Sequence, residues 1–255
     1  MGWVHVVLVG ASVVANAQRR GVVHEDLQNL ESRLASGVVD RDDLTGRLLR
    51  LVLSDPKGVS AELNTFLDLL DEGYVRGRQQ WVYLLFSDTH VGALCAEVVK
   101  KCLDRLSKEK YDGTVSAETV RVEMLGDPER FEDGLANLFR MVTDIIRGHK
   151  REGDLVFVHA TGGFKPEAAI AILAANSPGT GAPVFYVHEH FRRVIRIPAM
   201  PVRFRRWENL LSFIGYLVSV GSATRMAAEK TYGKMVDEAI KLGWAEEEEG
   251  EVHPT

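Results

Sequence analysis

Cysteine is almost missing from this 255-residue chain, which holds only Cys95 and Cys102. Seven residues apart in one helical pattern, the two lack the close paired spacing of a zinc site and cannot build a disulfide framework. They read as buried free thiols. No run approaches the ~18 consecutive apolar residues of a membrane span. Met1 leads into a strand pattern without the basic, apolar and small-residue succession of a cleavable signal, so a cytoplasmic protein with no membrane contact is expected. Positive charge is not in excess either: 31 lysines and arginines stand against 36 acidic residues, a formal net charge of -5. A general electrostatic grip on long duplex DNA or RNA is therefore disfavoured, and any nucleotide has to meet a local patch. The chain also lacks the full phosphate-loop pattern of triphosphate enzymes and the three-glycine dinucleotide fingerprint. No cofactor is expected.

What is present is a core. With 45% hydrophobic residues, the chain can fill one large domain and an appendage. Val4 to Val9 reads as a buried strand that turns at Gly10-Ala11-Ser12 into a helix. Three amphipathic helical stretches follow between about residues 25 and 73, an insertion that suits a lid, a dimer surface or packing. Strand-loop-helix grammar then repeats: Trp81 to Phe86 runs through Ser87-Asp88-Thr89 into a helix, and Val115 to Met124 is a third strand before a helix opened by Asp127-Pro128. Leu155 to Val158 enters a glycine loop and an alanine-rich helix, Pro183 to Val187 is a fifth strand, and Val194 to Ile197 fits a sixth. Apolar strands alternating with helices predict an α/β fold, a doubly wound, mostly parallel Rossmann-like sheet over residues 1-200. Residues 201-255 form a small C-terminal appendage, with helices over Trp207 to Val220 and Ala223 to Leu242. It ends in an acidic stretch that reads as a frayed tail, the alternative being a small hairpin in a winged-helix-like arrangement.

Ligands of such sheets bind beyond the carboxyl ends of the strands. Three loops qualify by position. In Thr161-Gly162-Gly163-Phe164-Lys165, two glycines permit close backbone approach, a helix start offers free N–H donors, and Lys165 adds a mobile charge; a tight turn with a solvated lysine is the plainer alternative. In Gly10-Ala11-Ser12 the serine either caps a helix or faces the crevice, and Asn16, one turn on, faces either the same crevice or solvent. Ser87, Asp88 and Thr89 either meet a base edge or cap the next helix. His188, Glu189 and His190 lack an evident third ligand and the expected alternation of a strand splays them, so no metal is expected. Six arginines between Arg192 and Arg206, interleaved with Phe191, Phe204 and Trp207, fit a nucleotide-facing edge or a charged sheet edge equally.

Taken together, these residues resemble the CRISPR-associated Rossmann-fold (CARF) family, whose domains bind cyclic oligoadenylates in type III CRISPR immunity, and within it the archaeal standalone ring nucleases. The resemblance covers most of residues 1 to 200. It is carried by Ala160-Thr161-Gly162-Gly163-Phe164-Lys165-Pro166-Glu167, with support from Leu84 to Thr89, Ser60-Ala61-Glu62-Leu63-Asn64, Val187-His188-Glu189 and Phe191-Arg192. It implies a two-fold homodimer that takes one cyclic tetra-adenylate across its axis, with Ser12 and Lys165 catalytic. Gly10, Ala11, Asn16, Ser87, Asp88, Thr89, Thr161, Gly162, Gly163 and Phe164 would then bind the ligand.

The implied reaction is metal-free: a ribose 2′-hydroxyl attacks the neighbouring phosphorus and leaves a 2′,3′-cyclic phosphate, which would switch off the signal. A fused HEPN ribonuclease is disfavoured, because the segment after Arg206 has only His253 and no arginine at the required upstream spacing. A sensor or transcriptional regulator that keeps the ring intact is the alternative. The mixed charges of Ala223 to Leu242 argue against DNA binding there. A third reading is a Rossmann-type protein that uses another nucleotide.

Overall fold

The apolar runs of the sequence pair into one six-stranded sheet in a computed structural model that describes residues 2–71, 78–177, 179–188, 193–200, 207–241 and 243–255. The chain divides into two compact units, Met1–Pro201 and Val202–Thr255. In the first, β1 (Trp3–Val9), β2 (Gln80–Ser87), β3 (Val115–Val122), β4 (Leu155–His159), β5 (Val184–His188) and β6 (Arg193–Ile197) lie in the order β3-β2-β1-β4-β5-β6. The first five are parallel and β6 is antiparallel to β5. This is a doubly wound, Rossmann-like sheet whose strand order reverses beside β1: Val7 pairs with Leu84 of β2 on one side and with His159 of β4 on the other.

Side chains alternate across β1, so each face of the sheet receives its own core. Val7 and Val9 pack with α1 (Ser12–Arg19), α2 (Leu27–Ala35), α3 (Arg41–Ser54), α5 (Ala61–Asp71) and α6 (His90–Lys110), α4 (Pro56–Val59) leading into α5. Val4, Val6 and Leu8 pack with α7 (Phe131–Arg151) and α8 (Lys165–Ala175). Cys95 and Cys102 are buried in α6, where burial pushes both thiols up to about 12. The inserted helices are therefore not a loose lid: α5 covers the sheet as a crossover helix would, with Leu63 and Phe66 fully buried. No helix among the described residues is long and apolar enough to cross a membrane.

Two boundaries differ from the sequence reading. The third strand stops at Val122 because Met124 turns with φ +66°, its N–H and that of Gly126 held by the Asp88 carboxylate at 2.8 and 2.6 Å. Asp127 and Pro128 lie in turns, and the helix begins only at Phe131.

The second unit orders α9 (Trp207–Val220), β7 (Ala223–Thr224), α10 (Arg225–Tyr232), α11 (Met235–Lys241), β8 (Ala245–Glu248) and β9 (Glu251–Pro254), the sequence of elements in a winged helix. Its core holds Leu210, Phe213, Leu217, Ala228, Val236, Ala239 and Val252. The expected single helix breaks at Gly233 (φ +55°). The acidic stretch is not a frayed tail but a hairpin. Glu249 and Gly250 both take positive φ, as a tight two-residue turn needs, and Ala245 and Val252 face inward beneath the glutamates.

A chain of uncharged polar groups crosses the first unit's core. Gln80 donates its amide to the Arg78 carbonyl at 2.7 Å, which turns its oxygen toward His5 Nε2 at 2.9 Å. His5 must then donate from Nε2 and accept at Nδ1, so the proton of the 2.9 Å bond to His159 comes from His159 Nε2. This leaves His159 Nδ1 as a buried lone pair without a partner among the described residues. Burial lowers the pKa of His5 to about 4 and holds His159 well below the usual histidine range. The folded state thus binds fewer protons than the unfolded chain between about pH 6.5 and 4, and stability rises with pH across that window. The melting temperature of the wild type is expected to fall as pH drops from 6.5 to 4, His5 contributing the equivalent of ~3 kcal/mol and His159 acting in the same direction. His5→Gln should flatten that slope, and an unchanged slope in thermal melts would show that the pair does not carry it.

Candidate active site at the strand-order reversal

At the carboxyl ends of β1 and β4, where the strand order reverses, two loops meet backbone to backbone. A side chain at Gly10 would bring its first carbon to 2.7 Å from the Gly163 nitrogen, and one at Gly162 would bring it to 2.2 Å from the Leu8 carbonyl oxygen. Glycine is required at both positions by space alone. The contact forms one rim of the crevice, and Ser12 and Lys165 each follow it two residues on in sequence.

The residue that organises the rim comes from the insertion. Glu62, in the first turn of α5, is 1% exposed. Its Oε1 accepts the Gly10 N–H at 3.0 Å, and its Oε2 accepts both the Ser12 hydroxyl at 2.6 Å and the Ser60 hydroxyl at 2.7 Å. Ser12 Oγ in turn accepts the Ala61 N–H at 3.1 Å. The serine is therefore not the side-chain cap of α1, which has none. Its proton is committed to Glu62, so what it has left to offer a further partner is a lone pair.

On the β4 side, the Thr161 hydroxyl accepts the Val187 N–H at 2.9 Å and pairs with the Thr65 hydroxyl at 2.5 Å, tying the glycine loop to both β5 and α5. Gly163 turns with φ +80°. Glu167, whose pKa burial raises, accepts the Phe164 N–H at 2.9 Å. Phe164 is 62% exposed at the mouth, and Lys165, at the start of α8, is exposed without an ion pair among the described residues. A lone cation at a helix N-terminus is suited to an anion.

The other sequence candidates divide. Gly10, Ala11, Ser87 and Thr89 line the same cavity as Phe164. Ser87 is bonded to Thr89, whose hydroxyl caps α6 through the Gly92 N–H at 2.9 Å. Asp88 spends both oxygens on the turn after β3, and Asn16 donates its amide to the Val59 carbonyl at 2.9 Å. Residues 189–192 and 201–206 lie outside the described residues, and with them Glu189, His190 and most of the arginine run; Arg193 and Arg196 sit exposed on β6. The group that could hold a metal ion, His149 with Glu152 and Asp154, lies at the opposite end of the sheet, where Asp154 also accepts the Gly2 N–H.

Glu62 belongs to a stretch that supports the family resemblance, but its place at the rim is not legible in the sequence because it lies fifty positions from Ser12. Its signal was the serine two residues before it. Glu62→Ala leaves three donors without an acceptor and is expected to destabilise the fold by roughly 3 kcal/mol. Ser12→Ala leaves Glu62 two of its donors, and denaturant melts should show a clearly smaller loss; equal losses would contradict this account of the rim.

Among solved structures, protein VC1899 from Vibrio cholerae aligns with 99% of this chain at 10% identity and a TM-score of 0.41. Can2 from Sulfobacillus thermosulfidooxidans, solved in complex with cyclic tetra-adenylate, aligns with 99% of this chain at 12% identity and a TM-score of 0.34. The chain spans 61% of the length of each. The family model of CRISPR-associated protein (Cas_APE2256) matches residues 57–200, more than half of the sequence, from the insertion through the last strand of the sheet. The matched residues include Glu62 and the glycine loop but not Gly10 and Ser12, and by that match the chain belongs to the CRISPR-associated Cas_APE2256 family.

Proposed function

We propose that this protein is a ring nuclease: it binds cyclic tetra-adenylate across a homodimer interface and cleaves it without a metal, ending a type III CRISPR signal. The observation that supports this reading is the contact of Gly10 with Gly163, which joins the loop that leads to Ser12 with the loop that leads to the exposed Lys165. A two-fold pair of such rims matches a ring of four equivalent nucleotides.

RNA supplies its own nucleophile. The ribose 2′-oxygen bonds to the adjacent phosphorus, the bond to the 5′-oxygen breaks, and the proton lost by the 2′-hydroxyl is balanced by one gained at the 5′-oxygen. The products are linear, with a 2′,3′-cyclic phosphate and a 5′-hydroxyl. Ser12 Oγ, its own proton held by Glu62, accepts from the 2′-hydroxyl and so orients it. Lys165 and the N–H groups at the start of α8 stabilise the charge that builds on the phosphoryl oxygens.

Regulation through DNA is the weaker reading. The hairpin of the C-terminal unit carries Glu246 to Glu249 and Glu251, and α11 adds Asp237 and Glu238. A duplex would meet like charge there.

Incubation of the protein with labelled cyclic tetra-adenylate in EDTA is expected to yield linear di-adenylate ending in a cyclic phosphate. A ring bound but recovered intact would favour the sensor instead. Lys165→Ala should slow cleavage ~10²-fold or more, and cutting at the wild-type rate would remove Lys165 from the mechanism.

A further inference from the structure

Beside the rim, between the loops that follow β1 and β2, lies a cavity of about 300 Å³. Its walls are apolar, including Val9, Leu27, Leu125, Phe131 and the exposed ring of Phe164. At the lower end of the size range of small-molecule pockets, it holds one heterocyclic base and excludes a ring of four nucleotides. No lysine or arginine lines it, whereas Glu31 and Glu167 do. A cation-free cavity edged by acceptors suits an uncharged ring with hydrogen-bond donors, not a phosphate.

Its roof is the inserted helix α2. Glu31 grips the start of α6, its two carboxylate oxygens accepting the His90 and Val91 N–H groups at 2.7 Å each. One helical turn earlier, and therefore on the same face, stands Gln28, exposed at the cavity lip. A glutamine amide can donate to N7 of adenine and accept from its exocyclic amine at once, a pairing lost at that edge when a carbonyl replaces the amine.

We propose that this cavity seats one adenine of the ligand, stacked against Phe164 and read at its amino edge by Gln28, with Glu31 clamping the roof helix in place. The proposal rests on the cyclic oligoadenylate reading above and adds to it a determinant of base specificity in the insertion. Phosphate and base then have separate seats: Lys165 faces the backbone of the ring, and α2 faces the base.

The test compares binding of cyclic tetra-adenylate with that of the same ring built from inosine, in which a carbonyl replaces the exocyclic amine. Isothermal titration is run on the wild type and on Gln28→Ala, an exposed position whose truncation leaves the core untouched. The wild type is expected to prefer the adenosine ring by roughly 5- to 100-fold, and Gln28→Ala to lose most of that preference while still binding. Leu27→Trp, which fills the cavity, should weaken the adenosine ring at least ~10-fold with the melting curve preserved. Equal affinity of the wild type for both rings, or full discrimination retained by Gln28→Ala, overturns the base seat and leaves ring binding standing. A wild type that binds neither ring overturns the functional reading and this inference with it.

Discussion

Everything at the rim depends on one close approach, the seating of Gly10 on Gly163 where the strand order reverses. Two loops that leave neighbouring parallel strands ordinarily diverge into their own helices. Here they touch through backbone, and the space that a side chain would fill is taken by the opposing chain. The arrangement leaves polar groups buried between the loops, and those groups need partners. Glu62 answers that need from one direction, and Thr161 with Thr65 from the other.

This explains why a helix from an insertion became part of the site. A buried carboxylate is costly unless its oxygens are saturated with donors, and Glu62 is saturated by a backbone N–H and two serine hydroxyls. The same bonds fix the Ser12 rotamer and the direction of its proton before any ligand arrives. For the proposed cleavage, preorganisation of this kind would lower the reorganisation needed at the moment of reaction. The histidine chain from Gln80 to His159 plays a comparable part beneath the floor, where it orders the last residue of β4 just before the glycine loop begins.

The sheet was readable because apolar β-branched runs followed by glycine-bearing turns have few other interpretations. The glycine loop with Lys165 was readable for the same reason. What could not be read was anything requiring two distant segments to meet. Asp88 looked like a ligand residue, yet it holds the turn after β3, a contact across thirty-six positions. Asn16 was open between the crevice and solvent, and it ties α1 to the end of α4. The hairpin was hidden because a run of glutamates masks the period-2 pattern when only Ala245 and Val252 face inward. The Glu249-Gly250 turn is also not one of the usual asparagine- or aspartate-glycine pairs.

The antiparallel strand β6 gives the sheet a charged border. Arg193 and Arg196 stand exposed along it, so a second copy laid edge to edge would bring guanidinium groups against one another. Such a margin discourages the open-ended ribbons that unpaired strands otherwise template. Extension of the sheet through this margin, which would bury both guanidinium groups, is thereby disfavoured.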